Sequence, residues 1–384
     1  MLLATYLALK EIWRNRGQFL LVSMVIALIT LLVLFIAALG EGLGTNNREY
    51  ISKFDGQLVV FLEKADYIIS ASRLNQSTLR TVRRVDGVDE AGPVSASNTA
   101  ILLPGDEVLK VSLLGVEEGK PGTPEIFAGR SFLSATAREV IVDQRVLDRS
   151  DIKIGDVITI RSTQGTNDEF FDLKVVGTTS RQAFFFQPSI FVPPTVWEKV
   201  RPKSEAELNN TVPAINVIVV RLSDPAQVGQ VRQALLDTVQ NIEVADIQTT
   251  INNIPGYSAQ QGTVQTQGVF TLLIGVLVIG GFFQIQILQK VPQIGVLKAI
   301  GASNPVVGAA AVIQISVVTA IGVAIGGLLT FLFSLGFPPT VPLSFDGPSS
   351  AFAIIALLLI GPFGGLVSVI YAVRIEPLKA LRLS

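Results

Sequence analysis

The sequence runs to 384 residues, 49% hydrophobic and only 16% charged, with a formal net charge of −1. Soluble domains average nearer a quarter charged residues; the uncharged runs 247–289 and 299–345 do not suit a solvated surface, so the composition is that of a membrane protein. There is no His and no Cys, which excludes imidazole bases, disulfides, thiolate metal sites and thiolate-held Fe–S clusters, and nothing in the charge balance points to nucleic acid.

Residues 1–17 read as a cytoplasmic amphipathic helix. Leu2, Tyr6, Leu9 and Trp13 recur at helical spacing, with Lys10 and Arg14 on another face. Such a helix lies in the membrane interface, and Gly17 is its expected stop. Residues 18–40 hold the first span: within 19–39 only Ser23 and Thr30 are polar, and about 20 apolar residues cross the hydrocarbon core. The apolar run is too long for a signal-peptide core, so a retained anchor is expected.

Residues 41–265 form a mildly acidic, polar stretch expected to fold as an extracytoplasmic α+β domain in two lobes. Short β-branched runs predict strands at 140–142, 157–160, 172–177 and 215–220. Helices are predicted at 75–84, with Ser77 as a candidate cap, and at 225–240, with Pro225 at the start. Runs 58–61 and 242–245 flank the entry and exit of the domain and are expected to pair. The cluster Phe184, Phe185 and Phe186 reads either as a buried loop anchor or as an exposed contact for a partner or substrate.

Three further spans follow at 266–289, 305–336 and 351–373, the last interrupted by Gly361 and Pro362. The fold class is therefore membrane α-helical, with four transmembrane helices and a large α+β domain between helices 1 and 2. Gly322 with Gly326, and Gly361 with Gly365, are small-x-x-x-small faces on which helices approach closely. Gln284, Gln286 and Gln314 are polar groups at or in the spans and should face other helices or water.

Orientation follows from Lys and Arg in the short segments. Lys10, Arg14 and Arg16 precede the first span, Lys290 and Lys298 lie in segment 290–304, and Arg374, Lys379 and Arg382 lie in the tail 374–384. The short loop 337–350 has no basic residue and holds Asp346. Both termini are then cytoplasmic and the large domain lies outside.

Segment 290–304 is too short for a domain. Ile294, Leu297 and Ile300 sit at helical spacing beside Lys298, a pattern suited to docking in a groove of a cytoplasmic partner, or to a plain re-entry loop. The run Ile294, Gly295, Val296, Leu297, Lys298, Ala299, Ile300, Gly301, Ala302, Ser303 resembles the coupling segment of MacB/FtsX-type ABC transporter permeases. The stretch 8–16 resembles that family's N-terminal helix, 139–160 part of its extracytoplasmic domain, and 375–382 its tail. Gln293 stands where many members have Glu, and Leu378 with Lys379 replaces a small-acidic pair.

The resemblance implies a non-catalytic membrane subunit in a prokaryotic plasma (inner) membrane. No G-x-x-x-x-G-K-[ST] run is present, so ATP and Mg would be held by a separate cytoplasmic ABC ATPase and no cofactor by this chain. It further implies a second permease copy or paralogue and, in some systems, a periplasmic adaptor, with membrane lipid around the spans. Gln293 through Gly301 would form the ATPase-coupling segment, with Ile294, Leu297 and Ile300 docking, Lys298 in polar contact, and Gly295 and Gly301 permitting close approach. The expected function is export of a hydrophobic or amphipathic compound, lipid or lipoprotein. The alternative is a non-transporting device that activates an extracytoplasmic enzyme. Some relatives handle haem; without His, ligation here would fall to Met24 or a Tyr.

Overall fold

The computed structural model describes residues 2–209, 215–338, 341–345 and 347–374. They form two compact units, 1–42 with 261–384, and 43–260. Helices α1 (Leu2–Arg14) and α2 (Arg16–Ser52) open the chain. The break between them falls at Asn15, whose carbonyl accepts from the N–H groups of Gln18 and Phe19. Gly17, the expected stop, is inside α2. At 37 residues α2 continues well past the apolar stretch.

The second unit carries β1 (Leu58–Leu62), α3 (Gln76–Val82), β2 (Val88–Leu102), β3 (Val108–Val116), β4 (Ile126–Gly129), β5 (Glu139–Asp143), α4 (Gln144–Asp148), β6 (Val157–Gln164) and β7 (Asn167–Thr179). It continues with β8 (Ser189–Val192), α5 (Pro194–Val200), α6 (Glu205–Asn209), β9 (Val217–Leu222), α7 (Val228–Thr238), β10 (Ile242–Asp246) and α8 (Ile247–Asn252). The ten strands make one sheet in the order β10-β1-β9-β2-β3-β8-β5-β7-β4, with β6 pairing β2 and β7. The expected pairing of 58–61 with 242–245 is present: β1 and β10 run antiparallel, Leu58 opposite Asp246 and Phe61 opposite Glu243.

Each end of this sheet has its own core. At one end Leu58, Val60, Ile218 and Val244 close on Leu79 of α3 and Leu235 of α7. At the other, Leu113, Val142, Ile160 and Ile190 close on Val196 and Trp197 of α5. These two cores share one face of the sheet; a third, with Tyr50, Phe61, Leu114, Ile141 and Phe191, covers the opposite face across both ends, so the strands form one continuous layer. The cap of α3 is Asn75, whose side chain accepts from Thr78 N, and not Ser77. Pro225 starts a single 3-10 turn ahead of α7.

The first unit holds α9 (Tyr257–Gln289, shared with the second), α10 (Val291–Ala299), α11 (Asn304–Ser334) and α12 (Gly347–Arg374). The helices α2, α9, α11 and α12 are each long and apolar enough to cross a membrane. Their shared core includes Phe19, Ile26, Ile279, Phe283, Val318 and Ile360. Pro362 sits inside α12 without ending it; neighbouring helices make such breaks tolerable in lipid.

Both small-residue faces are used inside this bundle. A Cβ added at Gly322 would lie 2.6 Å from Ile26 Cβ, and one at Gly326 2.5 Å from Thr30 Cβ, so this face of α11 receives α2. At Gly361 it would lie 2.0 Å from Thr319 Oγ1 and at Gly365 2.4 Å from Ile315 Cδ1, so the α12 face receives α11. A third close approach joins Gly280 of α9 to the backbone of Gly364.

Candidate functional site

The short helix α10 begins after Lys290 with Pro292 in its first turn, where a missing N–H leaves no bond unmade. Its end is set by Gly301, at φ +108°. The Gly301 N–H reaches Lys298 O and the Ala302 N–H reaches Leu297 O, the paired bonds of a Schellman ending. Leu297 and Ala302 also meet in one apolar cluster. An added Cβ at Gly301 meets nothing within 4 Å, so within this chain the residue serves the backbone angle and not a close approach. Gly295, by contrast, is buried.

The three apolar residues expected to dock outward divide. Ile294 and Leu297 turn inward onto Ile287, Val307 and Ala372. Ile300 is 81% exposed and Val296 44%; Gln293 and Ala299 are exposed as well. The outward face is therefore Gln293, Val296 and Ile300, at i, i+3 and i+7 on one side of the helix. Sequence periodicity pointed to Ile294, Leu297 and Ile300, and the bundle covers the first two of them.

Lys298 is engaged within the chain: its Nζ donates to the carbonyl oxygen of Val373 at 2.6 Å. That carbonyl belongs to the last turn of α12, where a cation complements the helix end. Arg374 lies in the same turn. Lys290 Nζ stands 2.6 Å from Glu11 Oε1 and 5.2 Å from the ring centre of Phe19, so this basic flank joins α1 and α2 to the start of α10. Charge counting assigns Lys290 only a topological role; its pairing with Glu11, far apart in the chain, carries no local signal.

On α1, Ala4 and Ala8 are buried while Tyr6, Leu9 and Trp13 are 59%, 51% and 79% exposed. The apolar stripe thus faces outward, as an interfacial helix requires, and small residues make the packing side. Arg14 and Arg16 are exposed, and Lys10 lies 5.4 Å over the ring of Tyr6. Lys379 and Arg382 lie outside the described residues. Between α1, α10 and α11 runs a groove of ≈ 560 Å³, walled by Leu7, Ile287, Leu297 and Ala310, rimmed by Lys10 and Arg14, and reaching Gln314.

In the second unit the three phenylalanines also divide. Phe184 is 7% exposed and Phe186 44%; Phe185 is half-buried against the core. Phe185 and Phe186 adopt φ of 52° and 63°, and this tight turn points neighbouring side chains apart. The loop clasps the end of α2. Tyr50 N donates to Ala183 O, Phe186 N to Asn46 O, and the Glu49 carboxylate accepts from Arg145 at 2.9 Å and from Ala183 N. Asp143, fully buried, accepts from Gln182 N and Arg145 N; burial pushes its carboxyl pKa up against those two hydrogen bonds.

Four long apolar helices, a large α+β domain inserted after the first, and a short capped helix between the second and third define the architecture of an ABC transporter permease. Residues 19–238 match the MacB-like periplasmic core domain, and 267–377 match the FtsX-like permease C-terminal region. The chain belongs to the MacB/FtsX-type family of ABC transporter permeases. It is 22% identical over 375 residues to a putative hemin transport system permease protein HrtB of Staphylococcus haemolyticus, covering 98% of both chains. It is also 22% identical over 380 residues to an uncharacterized ABC transporter permease of Mycobacterium tuberculosis, again covering 98% of each. The periplasmic region of MacB from Actinobacillus actinomycetemcomitans is similar at 14% identity and TM-score 0.38, over 52% of this chain and 94% of that one. Among the described residues no group of three or more His, Cys, Asp or Glu could hold a metal ion.

Proposed function

We propose that this permease couples ATP hydrolysis in a separate cytoplasmic ABC ATPase to movement of the large α+β domain, and so exports a hydrophobic or amphipathic compound, lipid or lipoprotein. The observation that carries the reading is α10. It is a capped helix whose inner face is packed, whose far end is tied to α12 through Lys298, and whose outer face offers Val296 and Ile300 to solvent. A nucleotide-driven displacement of a subunit seated on Gln293, Val296 and Ile300 would reach α12 through Lys298, and α9 and α11 through Ile294 and Leu297. The basic segments around α1 and α10 support a cytoplasmic location for both and for the termini, in a prokaryotic inner membrane, with a second permease copy or paralogue completing the transporter. ATP and Mg belong to the ATPase partner.

Haem is the cargo named for the staphylococcal relatives. This chain has no His or Cys to ligate its iron, and Met24, on α2, is 64% exposed. A broader apolar or amphipathic cargo therefore suits the residues better than haem bound through its iron. The test is co-purification of the full chain with its ATPase in detergent, comparing wild type with Val296→Glu and Ile300→Glu. Loss of the complex or of stimulated ATP turnover in both variants is the expected result. If a stable, stimulated complex survives both, the outer face of α10 is not the coupling surface.

A further inference from the structure

We propose that the groove between α1, α10 and α11 is a binding site for one anionic phospholipid, its phosphate held at the rim by Lys10 and Arg14 and its acyl chains along the apolar wall. The site takes in Gln293 and Val296 of the outward face of α10 as well as the inward-turned Ile294 and Leu297, and extends beyond α10 to α1 and α11. It goes beyond the coupling function and needs no ATPase to be observed.

Three observations carry it. The charge at the rim is unbalanced: Glu11 is taken by Lys290, which leaves Lys10 and Arg14 as the positive groups facing the opening. Among the described residues Arg14 makes no ion pair, and Lys10 meets only the neutral Tyr6, over its ring and at its hydroxyl. Second, Gln314 lines the groove, is 6% exposed, and its Nε2 has no hydrogen-bond partner among the described residues. A buried amide left unpaired costs about 1–3 kcal/mol, so this donor calls for an acceptor, and a glycerol-ester carbonyl is one that an apolar chain carries to that depth. Third, the wall is apolar where the chains would lie, at Leu7, Ile287 and Ala310.

The three features are in the right order for a glycerophospholipid. Gln314 lies ten residues into α11 from Asn304, about 15 Å along the helix at 1.5 Å per residue. An acceptor that reaches it must be attached to something that prefers the hydrocarbon. A free anion would satisfy the rim and leave Gln314 unpaired. A zwitterionic lipid brings its own cation to the rim and meets Lys10 and Arg14 less favourably.

The probe is native mass spectrometry of the purified full chain titrated with phosphatidylglycerol, with phosphatidylcholine and sn-glycerol 3-phosphate as separate arms. The proposal expects saturable binding of one phosphatidylglycerol, at least tenfold tighter than phosphatidylcholine, and no competition by millimolar glycerol 3-phosphate. Lys10→Glu with Arg14→Glu should abolish the preference, and Gln314→Leu should weaken binding of both lipids about fivefold. Arg16→Glu, outside the groove, should leave both unchanged. A photoreactive phosphatidylglycerol should crosslink to α1 or α11 in wild type, which tests the site without any substitution. Equal binding of the two lipids, an unchanged preference in the double variant, crosslinking confined elsewhere, or displacement by glycerol 3-phosphate would each overturn the assignment.

Discussion

Lys298 Nζ donates to the backbone carbonyl of Val373 at 2.6 Å, so the helix that follows the second span is fastened to the last turn of the fourth. Hydrogen bonds from charged donors contribute about 1.5–3 kcal/mol when buried and less when partly solvated. Lys298→Met should therefore destabilise the bundle by about 1 kcal/mol and uncouple ATPase stimulation while sparing ATPase binding through Val296 and Ile300. Thermal unfolding in detergent and turnover with the partner subunit check both. Equal loss of binding and stimulation would show that Lys298 contacts the ATPase directly.

Gly301 should resist replacement. At φ +108° an L-residue is strained by at least about 1–2 kcal/mol, and the two bonds that finish α10 depend on that angle. Gly301→Ala should lower stability by about that amount and reduce coupling, although the space around it is open. Circular dichroism will not resolve one helix end, so limited proteolysis at 299–303 is the measurement, with faster cleavage expected.

Within the bundle the glycines separate cleanly. Gly361→Ala would press a methyl against Thr319 Oγ1, whereas Gly327→Ala meets nothing within 4 Å. Overpacking of this kind costs about 1–3 kcal/mol. Thermal unfolding should show Gly361→Ala clearly destabilised and Gly327→Ala unchanged.

The aromatic turn gives a paired test. Phe184→Ala empties a buried site and should cost about 3–5 kcal/mol. Phe186→Ala removes a side chain that is 44% exposed and should leave thermal unfolding near wild type. If substrate-stimulated ATP turnover nevertheless falls in Phe186→Ala, that ring is a contact for cargo or partner; if it does not, the whole loop serves only to clasp α2.

In the α+β domain, the Arg73 guanidinium beside Glu207 lowers that carboxyl from 4.5 to about 2, helped by the backbone N–H of Ser204. A depressed carboxyl contributes stability above its unfolded value and loses it as pH falls through the folded one. The contribution is thus present above pH 4.5 and lost on descending towards pH 2. Arg73 is largely exposed, so salt should shrink the effect. Glu207→Gln should flatten this leg of a stability-versus-pH curve measured on the full chain.

The spans were legible because length and apolarity alone are enough for a membrane crossing, and β1 with β10 because their β-branched runs flank the inserted domain. What the sequence left open depends on neighbours far away in the chain. Helical spacing placed Ile294, Leu297 and Ile300 within reach of one another, yet Ile287, Val307 and Ala372 claimed two of them. Ser77 was the cap the sequence suggested, whereas the helix starts earlier, after Asn75, whose extended backbone at φ −110° and ψ 169° lets its side chain accept from Thr78 N. The opposite fates of Phe184 and Phe186 follow from two left-handed residues in a row, which no β-branched or aromatic preference foretells. Glu11 and Lys290 meet across the whole inserted domain, a distance at which charge patterning is silent.

The glycine seams of α11 and α12 close on α2 and α11 of the same chain. Surfaces where backbones touch are the ones on which a single added methyl vetoes an encounter. Here those surfaces are occupied before any second permease arrives. What this bundle leaves facing outward includes Leu28, Leu32, Leu277 and Phe331, long and yielding side chains that adapt to many surfaces. Recognition between two such chains would then be a matter of many small fits and few hard refusals, a setting in which a copy and a diverged paralogue are almost equally acceptable neighbours.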